Sequence, residues 1–213
     1  MVKEAEDIGL TLNPSKFEII TQDHITFDTI LTLLSRAHMV DPAHAILLRS
    51  PLGDSRCISR AIAVKIAALK TVGERFVALS AHDAFILFRH SFAIAKLQYL
   101  LRTAPCYQSE ALVEYDNTLR SIVGEVTNTA LVSDDRAWTQ AALPVKFGKL
   151  GVCSTVEVVP SAYLASLHAN STLVVAILPV IYLSSEQCFL EDVLSCWSEG
   201  HDFQPPMGVS ASK

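Results

Sequence analysis

Apolar residues recur at helical spacing over most of this chain, and only its N-terminal part departs from that pattern. The helix-forming, mostly acidic run Lys3 to Asp7 leads into Gly9, a helix stop, and Asn13-Pro14 makes a turn. Phe17-Glu18-Ile19-Ile20 then has the length and composition of a short strand, which places Lys16 at its mouth. Residues 24–39 read as a helix with Ile30, Leu33 and Leu34 on its apolar face and Phe27 as a further candidate, stopped by Asp41-Pro42. Residues 45–48 form a short strand that enters a turn at Pro51-Leu52-Gly53-Asp54.

From Ser55 the helical period takes over. Ser55 caps a helix reaching about Leu79, with Gly73 as a point of bending or breakage. Ser80 is a second N-cap with Asp83 at the third helical position, as in a capping box. The helix that follows, 81–102, carries Phe85, Phe88, Phe92, Ala95 and Tyr99 along one side and ends at Thr103-Ala104-Pro105. Further helices are expected at 109–128, 134–142, 156–168 and 186–199, and a loose tail at 201–213. The expected fold is mainly α with a small N-terminal β element, an α+β arrangement without the βαβ alternation of a nucleotide-binding sheet.

Composition narrows the class. The chain has 213 residues, half of them hydrophobic, enough for a real core. Its longest apolar stretch, 173–183, is about half the ~20 residues a membrane helix needs and contains Pro179, so it reads as buried core. Glu4, Glu6, Asp7 and Glu18 leave no apolar leader in the first twenty residues. Five scattered cysteines suit reduced thiols, and the expectation is an intracellular protein, nuclear or cytoplasmic, neither secreted nor transmembrane. A net charge of −5 argues against an autonomous nucleic-acid binder, but the charge is segregated. Residues 36–102 hold ten Lys/Arg against four Asp/Glu, and the remainder seven against eighteen.

Five collinear segments then carry a family resemblance: GLTLNPSKFE at 9–18, AILLRSPLGD at 45–54, FAIAKLQYLLRTAPC at 92–106, EYDNTLR at 114–120 and ALPVKFGKLGVCST at 142–155. Together they resemble the C-terminal part of the reverse transcriptase of non-LTR (LINE-like) retrotransposons. In order, they look like the lysine segment of the palm, a primer-grip hairpin of "LLGSPLG" type, a thumb helix, and a connector in which "LPxxxGGLGxxS" recurs. The similarity spans roughly residues 4–169. Three positions depart from the pattern: Phe17 for a common cysteine, Arg49 for the grip glycine, and Lys149 for the second glycine of "GGLG". A glycine needed for positive φ is poorly replaced by arginine.

The resemblance implies a palm remnant and primer-grip hairpin over 1–54, a helical thumb over 55–130, a connector over 131–200 and the tail beyond. It implies an RNA-directed DNA polymerase as the parent, working with Mg²⁺ and dNTPs on an RNA template and a DNA primer, with the missing palm and fingers as this segment's partners. The YxDD aspartates would lie upstream of Met1, so this chain alone is expected to be inactive and, with its strands uncovered, to aggregate or stay molten.

Lys16 matches the palm lysine that acts near the pyrophosphate leaving group; without carboxylates to hold metal ions it reads as a surface lysine beside a turn rather than as a working catalyst. Arg49, Arg56, Arg60, His82, Arg89 and Lys96 are the candidate nucleic-acid contacts. Arg56 and Arg60 share a helical face, and the seven-residue spacing of His82, Arg89 and Lys96 makes one stripe, either solvated or set against phosphates. Cys188, Cys196 and His201 supply only three ligands without a close pair, which gives no zinc site, and no metal site is assigned. The 145–151 loop lacks the GK[ST] ending of a phosphate cradle, and no hydrolase motif is present. The alternative to a polymerase segment is a non-enzymatic helical module that binds nucleic acid or protein.

Overall fold

The structure is a computed structural model that describes residues 7–9, 11, 13–20, 37–41, 44–52, 55–76, 78–177, 191, 193–195 and 198. It is mainly helical, with four two-residue strands among the described residues near the N-terminus. The chain divides into two compact units, Met1–Cys57 and Ile58–Lys213.

In the first unit a single 3₁₀ turn, Pro14–Lys16, precedes strand β1, Glu18–Ile19. Asn13 holds that turn: its side-chain oxygen accepts from the Ser15 amide at 3.1 Å and the Ser15 hydroxyl at 2.7 Å. Lys16 stands at the mouth of β1. Its partner β2, His38–Met39, runs parallel to it. His38 and Met39 therefore end no helix, because the edge of β1 claims their backbone groups; the expected helical residues 24–36 lie outside the described residues.

Strands β3, Ile46–Leu47, and β4, Ser50–Pro51, form an antiparallel hairpin. The hairpin turns at Leu48-Arg49, with φ of 50° and 69° at the two corner residues, and Pro51 belongs to β4; Gly53 and Asp54 of the expected 51–54 turn lie outside the described residues. Positive φ at both corners matches the twist of a two-residue hairpin, and Leu48-Arg49 is a costly pair to place there. The Cys57 thiol donates to the carbonyl of Ala45 at 3.3 Å, and Leu52 N–H closes the hairpin on the same carbonyl at 2.9 Å.

Helix α1, Ser55–Phe76, runs through Gly73 without a break. A Cβ at Gly73 would stand 2.9 Å from Ile122 Cγ1, so this glycine serves close helix packing. Ser80 caps α2, Ala81–Leu87, accepting from the Asp83 amide and donating to the Asp83 carboxylate at 2.7 Å.

The continuous helix expected over 81–102 is not present. After α2 the chain widens into π-helical Phe88–Phe92, breaks at Ala93 (ψ −119°), makes a 3₁₀ turn at Ile94–Lys96 and resumes as α3, Gln98–Thr103. Two contacts explain the break. The Phe76 ring packs edge-on against both Phe88 and Phe92, at 6.0 and 5.7 Å. The Tyr115 hydroxyl donates to the carbonyl of Ala93 at 2.9 Å and reaches that of Phe92 at 3.2 Å, outside the helical ladder. Ala95 and Tyr99 are exposed, so the apolar side stops at Phe92.

Helices α4, Ala111–Thr127, and α5, Asp135–Ala142, follow the expected ranges; Asn128 ends α4 in the left-handed region and Asp134 caps α5. Helix α6, Thr155–Ile177, runs nine residues beyond the expected end at 168. That extension enters the 173–183 stretch expected to be core, and there Leu173 is exposed. Residues 193–195 are helical and Val193 is buried; the tail and Cys188, Cys196 and His201, to which no metal site was assigned, lie outside the described residues. One hydrophobic cluster runs from Ile58 through Phe88, Leu101, Tyr115 and Val123 to Val159, so the segments read as thumb and connector share a core.

Candidate nucleic-acid interface

Helix α4 organises the second unit, and its EYDNTLR segment supplies the fastenings. Tyr115 is fully buried and pins the Ala93 break; burial, and then the adjacent Asp116 charge, push its hydroxyl above its ordinary range. Asp116 crosses to the start of α6. Its carboxylate accepts from the Ser154 hydroxyl at 2.6 Å, from the Thr155 hydroxyl at 2.6 Å and from the Thr155 amide at 2.8 Å. A negative side chain there satisfies free amides and opposes the positive helix end. Arg120 is largely buried. It donates from Nε to the Leu131 carbonyl and from Nη1 to Asp135 at 2.7 Å, and lies 6.0 Å from the Trp138 ring. Its Nη2 is buried without a hydrogen-bond partner among the described residues.

The loop from α5 to α6 lies over another candidate, Arg89. Pro144 starts it, Val145–Phe147 make a 3₁₀ turn, Gly148 ends that turn at φ 74°, and Gly151 N–H closes on the Leu143 carbonyl at 3.0 Å. Gly151 has φ 66°, and a Cβ on it would meet Val145 at 3.1 Å and the Arg89 guanidinium at 3.4 Å. Arg89 is thus half-buried at the base of this loop. Phe147 projects from the loop, 63% exposed, with Lys146 Nζ 5.0 Å from its ring centre. Lys149 is half-buried two residues on.

No protein-family model, curated protein or solved structure matches the chain.

The remaining expected contacts are scattered. Lys16 and Arg49 are exposed in the first unit, and Arg56 and Arg60 are exposed on one face of α1. His82 is exposed on α2, and exposed Lys96 holds its ammonium 5.2 Å from the Phe92 ring. Because the backbone breaks at Ala93, the seven-residue spacing of His82, Arg89 and Lys96 no longer defines one helical face. Among the described residues no three His, Cys, Asp or Glu side chains gather to hold a metal ion, and no helix is long and apolar enough to cross a membrane.

The cap at Ser154 was missed, although Ser154-x-x-Glu157 is a local capping-box signal for it; the Glu157 amide reaches the Ser154 hydroxyl at 3.4 Å. That Asp116 would complete the cap from a different helix has no local signal. Cations around an exposed ring suit phosphate contact and base stacking.

Proposed function

We propose that this chain corresponds to the region of a non-LTR retrotransposon reverse transcriptase that follows the catalytic aspartates: the end of the palm, primer grip, thumb and connector. Its role is to hold the template–primer duplex through phosphate contacts from the basic 36–102 segment, Arg89 and Lys96 among them. One observation carries this reading. At three positions where the family pattern has glycine φ is positive: Arg49 at 69° in the grip hairpin, and Gly148 at 74° and Gly151 at 66° in the connector; at a fourth, Lys149, it is not. Lys149, the glycine departure with no positive φ, is tolerated for that reason. Further support comes from two motifs far apart in sequence, EYDNTLR and LGVCST, which engage each other through Asp116, Ser154 and Thr155.

The 213 residues contain no Tyr-x-Asp-Asp, so nucleotidyl transfer is not assigned to them. Mg²⁺-dependent primer extension by the purified chain would overturn that statement. The runner-up is a self-standing helical module, favoured by the single core from Ile58 to Val159. A monodisperse chain that binds no RNA–DNA duplex at low salt supports the module; salt-dependent duplex binding supports the polymerase segment.

A further inference from the structure

We infer that the loop from Pro144 to Gly151 is a stacking platform for single-stranded nucleic acid, with Phe147 as the ring and Lys146 and Lys149 as the phosphate contacts. The inference rests on the reading of the chain as a nucleic-acid-handling segment, but it assigns a separate site for unpaired strand.

The loop presents its ring on a fixed support. The Phe147 amide donates to the Pro144 carbonyl at 3.0 Å, that of Gly148 to Val145 at 2.8 Å and that of Gly151 to Leu143 at 3.0 Å. Phe147 therefore stands on a closed turn, and ordering it costs a ligand little. It is not a single stray apolar residue, since Leu143 and Val145 beside it are also exposed. A purely apolar patch would suit a protein partner; here cations interrupt it at Lys146 and Lys149. From Arg136 to Val156 the sequence has Arg136, Lys146 and Lys149 and no Asp or Glu, in a chain whose net charge is −5. An exposed ring between cations matches the alternation of base and phosphate along one strand. Bases of a duplex are already stacked, so the platform selects unpaired strand.

The test is fluorescence anisotropy of the full chain with labelled oligo(dT), oligo(U), an abasic strand of equal length, and an RNA–DNA duplex. Phe147→Ala is expected to weaken oligo(dT) or oligo(U) binding about tenfold, as the loss of one stacked base implies, and Phe147→Trp to restore it. Which of the two strands responds tells DNA from RNA as the ligand. Binding of the abasic strand and of the duplex should be unchanged. Equal weakening on the abasic strand would overturn the platform, because the ring would then act only on loop structure. Unchanged binding of every probe by Phe147→Ala would also overturn it and leave a protein partner for this surface. If that happens while Arg89→Ala/Lys96→Ala still weakens duplex binding, the stacking inference alone falls. If the wild-type chain binds none of the probes at low salt, the nucleic-acid reading falls with it.

Discussion

Removing the Asp116 carboxylate should unfasten the start of α6 from α4. Asp116→Ala deletes the acceptor for two hydroxyls, both at 2.6 Å, and for the Thr155 amide at 2.8 Å. An N-cap contributes about 1 kcal/mol. Thr155 is fully buried, and a buried hydroxyl left without its acceptor adds roughly 1–3 kcal/mol. The Leu112 carbonyl, 3.4 Å from that hydroxyl, offers partial replacement, and Ser154 can turn to water. The sum is about 2–3 kcal/mol, a large share of the roughly 5–15 kcal/mol of a small domain. Asp116→Asn keeps one acceptor and should cost about half as much. Because the chain has two units, amide hydrogen exchange at residues 155–158 is the direct assay, with the guanidinium midpoint as a second measure. A double-mutant cycle with Thr155→Val should show coupling of about 1 kcal/mol or more. A loss below about 0.5 kcal/mol for Asp116→Ala, or full additivity in the cycle, would refute the clasp.

Three other outcomes are expected. Gly73→Ala should destabilise by about 1–2 kcal/mol despite alanine's better helix propensity, because its Cβ meets Ile122 at 2.9 Å; in an Ile122→Ala background, itself less stable, the same change should cost less in thermal melts. Arg49→Gly should stabilise the β3–β4 hairpin by about 0.5–1 kcal/mol, the relief at φ 69° exceeding glycine's added backbone entropy, and slow the exchange of the Leu52 amide. Burial pushes the Cys106 thiol from 9.0 up to about 12, so iodoacetamide should label exposed Cys153 and leave Cys106 unmodified until the chain unfolds. The fold holds that proton more tightly than the unfolded chain. Its contribution to stability is therefore complete below about pH 9 and is lost as pH rises toward about 12.

Legibility followed the range of the forces involved. The start of α2 and the ranges of α4 and α5 were readable because their signals are local: Ser80 with Asp83, Asp134, and Asn128. A hairpin over 45–54 was expected from the resemblance, which also put a turn glycine at position 49; local signals alone pointed elsewhere, because proline and glycine at 51–54 outweigh Leu48-Arg49. The break at Ala93 arises from Phe76 and Tyr115, which lie 17 and 22 residues away in sequence, so the Phe85 to Tyr99 pattern could not reveal it. The same break removed the basic stripe. His38-Met39 pairs with a strand twenty residues earlier, and that non-local claim overrides a locally helical sequence. For the interface, Arg89 was visible as a basic residue, whereas its cover by a loop that needs Gly151 became visible only in three dimensions.

The central claim is tested most directly by the affinity of the whole chain for an RNA–DNA duplex, measured across a series of salt concentrations. The account predicts binding at low salt whose logarithm falls linearly with that of the salt concentration, and an Arg89→Ala/Lys96→Ala chain that binds more weakly with a slope reduced by about two. No binding at low salt, or identical affinity and slope for the double variant, would contradict it.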